Sequence, residues 1–324
     1  MTFDFSPVTA PFRMQPGLRR VAPGAAQLTP NAPGSRHLRE KMAVLGSTPE
    51  RALCAIPGFD EAPVLRALAI EAARIGEPAF VVDGERSGRV RFAAPFLGWA
   101  LDGDALRGDG DPAIGALLAA LRPGQRAAAL LSLAFAEDFA LLDGPSTTVP
   151  WLAVCLPSRW APEEKVGLPF AAIHAPVADG ELVRAASASL ARFVTGEDRW
   201  ERAVWTVTAD PRLHHHPAHA GSAWPAPRTP DALDGRDDFA AAASFRSERQ
   251  TFVPIAGSGQ AIFTIFVESV PLADAVTSAD AARRLHDAIA SMTPAVLAYK
   301  RLDGVRDRLL AWLVAREADA STQR

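Results

Sequence analysis

The chain is poor in cysteine. Only Cys54 and Cys155 occur in 324 residues, about a hundred positions apart and neither in a C-x-x-C pair. That excludes a zinc ribbon, a four-thiolate iron–sulfur cluster held by this chain alone, and a disulfide framework. Charge of one sign is lacking too. Thirty-four Lys and Arg stand against 37 Asp and Glu, a net charge of −3, so nothing favours nucleic acid or another polyanion as a partner. No apolar window approaches the roughly 18 residues of a membrane span, and Met1 to Val21 has no continuous apolar core of a leader. The expected location is cytoplasmic, with no membrane contact. Lysine (Lys41, Lys165, Lys300) and tyrosine (Tyr299) are scarce. What remains is globular: 48% hydrophobic and 22% charged residues, in a chain long enough to bury one large core or two ordinary ones.

Residues 1–35 are dense in Pro and Gly and read as an extended N-terminal arm, with residues 36–324 a single α+β domain. Apolar spacing predicts a helix over Pro63–Ile75, and short strands follow at Ala79–Asp83 and Val90–Phe92. Asp111 caps a helix that Pro123-Gly124 ends, and a second helix is expected over Gln125–Leu142, around Glu137-Asp138. A buried strand is expected over Thr148–Leu156, a helix capped by Asp179 running to Val194, and a strand at Trp205–Thr208. Residues 209–243 read as a long exposed loop. Phe245–Ile255 and Gln260–Glu268 form a hairpin around Gly257 and Gly259, which rules those glycines out as a phosphate loop. Thr277-x-x-Asp280 resembles a capping box before a long helix with Leu285, Ile289, Met292, Val296 and Tyr299 on one face. A last helix spans Gly304–Ala315. Hairpins and helices mix without a βαβ rhythm, so the fold class is α+β, an antiparallel sheet packed with helices.

Histidine is the informative residue type. His214, His215, His216 and His219 fall in the long loop, where Pro217 opposes the helix that would align His215 with His219. A solvated loop is the expectation there, not a metal site. His37 and His286 lie in or beside polar stretches and are expected to be solvated. His174 differs, sitting in the apolar segment Phe170-Ala-Ala-Ile-His-Ala-Pro-Val177. It is either a core histidine donating one hydrogen bond or a neutral imidazole suited to a haem iron. Phe245-Arg-Ser-Glu-Arg-Gln-Thr251 is also unusual. As a strand it puts Arg246, Glu248 and Gln250 on one face and Ser247, Arg249 and Thr251 on the other. That suits either a water-facing edge strand or the polar wall of a pocket.

Several stretches occur together in a meaningful order: Trp160-Ala-Pro-Glu-Glu-Lys-Val-Gly167, Ile173-His-Ala-Pro-Val177, Arg246-Ser-Glu-Arg-Gln-Thr251, Ala261-Ile-Phe-Thr-Ile265 and Tyr299-Lys300. Over roughly residues 130 to 300 the chain resembles the alpha subunit of haem-dependent oxidative N-demethylases. The resemblance implies a PAS-like core holding haem b and oxidation of a small methylated secondary amine by dioxygen, with release of formaldehyde. It also implies electrons from a separate flavin and iron–sulfur reductase subunit. By that resemblance His174 is the proximal iron ligand, Arg246 and Lys165 are cofactor contacts, and Glu248, Arg249 and Gln250 are catalytic. The chain departs from the family pattern at Ala136, where Gln is expected, and at Val204, where Asn is expected. A non-catalytic PAS-like sensor or scaffold, with or without haem, is the competing reading.

Overall fold

A computed structural model describes residues 3–322 except 23, 76–78, 84–89, 179–180, 182–184, 220 and 226–237. The strands, in chain order, are β1 (Arg19–Arg20), β2 (Leu53–Ala55), β3 (Val81–Asp83), β4 (Arg91–Ala94), β5 (Trp99–Asp102) and β6 (Ala105–Gly108). They continue as β7 (Asp138–Asp143), β8 (Trp151–Ala153), β9 (Trp200–Thr208), β10 (Ser244–Ile255) and β11 (Gln260–Pro271). Seven of them form one antiparallel sheet in the order β1-β9-β10-β11-β7-β8-β2, and β3-β4-β5-β6 form a smaller one. With its packed helices the chain is α+β.

The long hairpin β10–β11 organises the large sheet. Residues Ser244 to Ile255 pair with Pro271 to Gln260 without a break. The turn needs Gly257 and Gly259, whose φ angles of 72° and 68° lie in the left-handed region. On its other side β10 pairs with β9 over nine residues. It is therefore an interior strand, and the edge-strand reading of Phe245–Thr251 is overturned. Phe252 and Phe263 face each other across the hairpin with ring centroids 4.8 Å apart, a pair worth about 0.5–1.5 kcal/mol beyond its burial.

Helices cover the sheet where its apolar side chains demand it. Leu38, Val44 and Leu45 of the helix Arg36–Ser47, and Leu130, Leu131 and Leu133 of the helix Arg126–Ala134, join Phe135, Phe139, Leu141 and Ile262 in one core. Leu285 and Ile289 of the helix Ala279–Ala290, with Leu309 and Leu313 of the helix Arg306–Thr322, pack on Trp205, Val207 and Phe245 in a second. Phe5 and Val8 of the N-terminal arm are buried in that second core, and β1 pairs the arm to β9 through Arg19↔Glu201 and Arg20↔Trp200.

Several local expectations are corrected. The helix expected over Gln125–Leu142 ends at Ala134, and Asp138–Asp143 is a strand. The run is apolar on both strand faces, so periodicity could not separate helix from strand. Asp138 is held in place by nonlocal partners: its Oδ2 accepts the Leu156 N–H at 2.6 Å, and Lys41 Nζ lies 3.1 Å from Oδ1. The strand expected over Thr148–Leu156 is only Trp151–Ala153. Thr277 is not the cap of the next helix; Ser278 is, accepting the Ala281 N–H at 3.1 Å. That helix stops at Ala290, and a new one starts at Pro294, capped by Thr293. Proline restarts the helical phase, so Tyr299 is 46% exposed instead of buried. Asp179 and Leu182, expected in the helix before Val194, lie outside the described residues, and the described helix is Ser187–Val194.

Candidate functional site

The pocket of interest opens on one face of the large sheet. Ala140 and Leu142 of β7, Arg202 of β9, Phe252 of β10 and Phe263 of β11 form its floor. Val149, Phe170, His174 and Leu190 close it from above, and Pro16 and Leu18 of the arm complete the rim. It encloses about 60 Å³ behind an open mouth, and apolar side chains make up most of its lining. Two of its side chains are strongly polar, His174 and Arg202.

His174 caps the C-terminus of the short helix Phe170–Ile173. Its Nδ1 lies 2.8 Å from the Phe170 carbonyl oxygen, and its ring sits 4.2 Å from the Phe170 ring. A carbonyl can only accept, so Nδ1 carries the hydrogen and Nε2 of the neutral ring carries the lone pair. Burial pushes the His174 pKa down; the Phe170 carbonyl opposes this, and nearby Arg202 and Lys165 add to it. A neutral imidazole whose second nitrogen donates to a backbone carbonyl is the usual arrangement of a metal-bound histidine. In chemistry, this imidazole and its apolar surroundings suit a haem iron.

A hydrogen-bonded chain leads away from Arg202. Arg202 Nε donates to Gln250 Oε1 at 2.6 Å, and Gln250 Nε2 donates to Glu248 Oε2 at 2.5 Å. Ser158 Oγ donates to Glu248 Oε1, and Arg246 Nε and Nη2 donate to Ser158 Oγ at 2.9 and 2.7 Å. Arg246 also donates to the Leu213, Arg212 and Leu156 carbonyls, so its guanidinium is largely used by the backbone. Burial pushes its pKa down to about 10. The structure thus brings Glu248, Gln250 and Arg246 together on one strand face, and only Arg202 of the chain reaches the pocket lining. Arg249 is not among them. It lies on the opposite face, donating to Glu137 Oε1 at 3.1 Å, with its guanidinium carbon 5.5 Å from the Phe266 ring centroid. Lys165 is half-buried at the end of a 3-10 turn, near enough to His174 to act on its charge. Val204 stands directly across from Glu248.

Arg202 and Ser158 were missed in the sequence. Arg202 would have been legible had the strand been started at Trp200, since it then shares the face of Val204 and Thr206. Ser158 carries no local signal, because its partners lie about 90 residues away.

The histidine-rich segment is only in part the solvated loop expected: Pro217, Ala218 and His219 are exposed, but the rest of the cluster is not. His215 and His216 are buried, and His214 Nδ1 lies 2.7 Å from the Cys155 carbonyl oxygen. His216 Nε2 lies 3.1 Å from both Glu163 oxygens. The core, not periodicity, dictates this burial. Residue 220 and residues 226–237 of the segment lie outside the described residues. Among the described residues no group of three or more His, Cys, Asp or Glu is placed to hold a metal ion. His37 is half-buried as well, stacked on Phe266 at 5.3 Å with its Nε2 2.7 Å from the Val267 oxygen.

His215 carries a pH prediction. Burial, reinforced by Arg246 and Arg159 and opposed by Asp210, pushes its pKa down to about 4. An unfolded histidine titrates near 6.5, so between those values the unfolded chain binds a proton that the folded chain refuses. Stability is therefore lost as pH falls from about 6.5 towards 4, by at most roughly 1.4 kcal/mol per pH unit from this group. Urea unfolding at pH 7 and pH 5 should show it, and His215→Gln should flatten the dependence. An unchanged slope in that variant would contradict the assignment.

Among the described residues no helix is long and apolar enough to cross a membrane. No curated protein matches the chain. The family model for haem-dependent oxidative N-demethylase, alpha subunit-like proteins matches residues 117–310. That span is well over half the chain and contains His174, Arg202, Arg246, Glu248 and Gln250, while the small sheet and the arm lie outside it. The chain belongs to the haem-dependent oxidative N-demethylase alpha subunit-like family.

Proposed function

We propose that this chain is the haem-binding subunit of an enzyme that removes a methyl group from a small secondary amine. The observation that carries the proposal is His174, a neutral, carbonyl-anchored imidazole on the lining of an apolar pocket, inside the span that matches the family. A large antiparallel sheet with that pocket on one face supports the PAS-like description. His174 would hold the iron of haem b, and when bound the haem would supply the site for dioxygen reduction. The overall change balances as amine, dioxygen, two electrons and two protons giving demethylated amine, formaldehyde and water. Those electrons need a donor. Two buried cysteines cannot hold a four-thiolate cluster, and an alpha subunit by name has a companion, so a flavin and iron–sulfur reductase in trans is the proposed source.

The chain's own residues orient the substrate. The apolar floor of Ala140, Leu142, Phe252 and Phe263 excludes water from the pocket. Glu248, held by Ser158 and Gln250 behind the lining, would supply negative charge toward an alkylammonium in the pocket without touching it. A visible spectrum of the haem-supplemented protein, titrated with small secondary amines, tests the reading. Glu248→Gln should weaken the amine-induced spectral change about tenfold or more while haem content stays intact. If no amine perturbs the wild-type spectrum, the sensor or scaffold reading replaces the enzyme.

A further inference from the structure

Charge is out of balance behind the pocket. Arg159, Arg202, Arg246 and Lys300 gather here; Glu248 acts electrostatically on Arg202, Arg246 and Lys300, Glu40 and Asp138 act on Arg246, and Asp210 acts on Arg159. Yet among the described residues no carboxylate oxygen comes within 4.0 Å of any of the four cations. Glu248 takes its hydrogen bonds from Ser158 and Gln250 instead. Lys300 Nζ donates to the Trp205 carbonyl oxygen at 2.8 Å, and Arg159 reaches the Lys300 carbonyl and the Thr208 hydroxyl. Asp210, which acts on Arg159, is itself occupied by Arg212 through hydrogen bonds of 2.6 to 3.2 Å. Burying a cation without a contacting anion is costly, and Arg246 and Lys300 are buried in that way.

Arg202 stands at the open end of this array. Its Nε is fixed by Gln250, its Nη1 makes only a 3.5 Å contact with the Pro16 carbonyl oxygen, and Nη2 has no protein partner among the described residues. It lines the same cavity as His174. We propose that Arg202 is a carboxylate-binding residue of the pocket, its free guanidinium edge receiving a ligand carboxylate and Gln250 holding it in orientation. Two sources of that chemistry exist: the two carboxylates of a haem, or the carboxylate of an N-methylated amino acid as substrate. The inference rests on the proposed haem pocket for the first source only. It also assigns Arg202, not Arg246, as the arginine that meets ligand.

Two binding comparisons on the full chain decide it without activity. The first sets iron-free protoporphyrin IX against its dimethyl ester by fluorescence. The second sets sarcosine against sarcosine amide by titration calorimetry. The expected result is a preference for the free acid of about tenfold or more in at least one pair, lost in Arg202→Gln and partly kept in Arg202→Lys. Preference within the porphyrin pair identifies the cofactor's carboxylates, and preference within the amine pair identifies the substrate's. Wild-type protein that discriminates in neither pair, or an Arg202→Gln variant that discriminates as wild type does, overturns the proposal. Because iron-free porphyrin needs no axial ligand, a retained acid preference in His174→Ala separates this inference from the assignment of the iron ligand.

Discussion

Replacing His174 by alanine should abolish the Soret band of the haem-supplemented protein, or move it strongly, with bound haem falling about tenfold or more. Three physical facts converge on this residue. The Phe170 carbonyl fixes the tautomer that leaves Nε2 unprotonated, burial keeps the ring neutral, and the side chain lines the apolar pocket on this sheet face. Other histidines share some of these features but not all. His214 also has Nδ1 anchored on a carbonyl, that of Cys155, and is also depressed by burial. It stacks instead on His216 at 6.0 Å and meets His219 edge-on at 5.1 Å, and it is absent from the pocket lining. His214→Ala should therefore leave the spectrum unchanged. An unaltered spectrum in His174→Ala, or its loss in His214→Ala, would remove the basis for placing iron in this pocket.

The largest stability effect is expected at Lys41. Its side chain and that of Asp138 are 0% and 1% exposed, with Nζ 3.1 Å from Oδ1. Nζ also donates to the Phe135 and Glu137 carbonyls at 3.0 and 2.5 Å, while Asp138 accepts the Leu156 N–H. Lys41→Met would leave a buried carboxylate unpaired and two carbonyls without a donor, costing about 3–5 kcal/mol. Adding Asp138→Asn removes the stranded charge but keeps an acceptor for Leu156. The double variant should therefore be destabilised by less than the sum of the two single changes. Urea unfolding of all three would measure this. A single-variant loss below about 1 kcal/mol would show that the pair is solvated in solution. The same knot explains why the chain leaves the helix at Ala134: three elements meet at this one lysine.

Adjacent Glu137 shows the cost of such burial in another form. Desolvation raises its pKa, opposed by the Thr29 N–H and by Arg249 on the opposite sheet face from the pocket. Arg249 therefore pairs with Glu137 on the sheet face opposite to that of Arg246, Glu248 and Gln250.

By itself the sequence determined the hairpin β10–β11, the helix capped by Asp111, and the division of Arg246, Glu248 and Gln250 from Ser247, Arg249 and Thr251. These follow from short-range rules: glycine at positive φ, a side-chain cap, and the two-residue period of a strand. The order of its motifs also sufficed to indicate the family. Only the tertiary structure decided which charges keep company. Arg246 is spent on the Leu156, Arg212 and Leu213 carbonyls and the Ser158 hydroxyl, Arg202 faces the cavity, and His215 and His216 are buried despite a loop-like sequence. Each of these depends on groups tens to hundreds of residues away. Burial and pairing are set by the whole packed chain, and no local pattern encodes them.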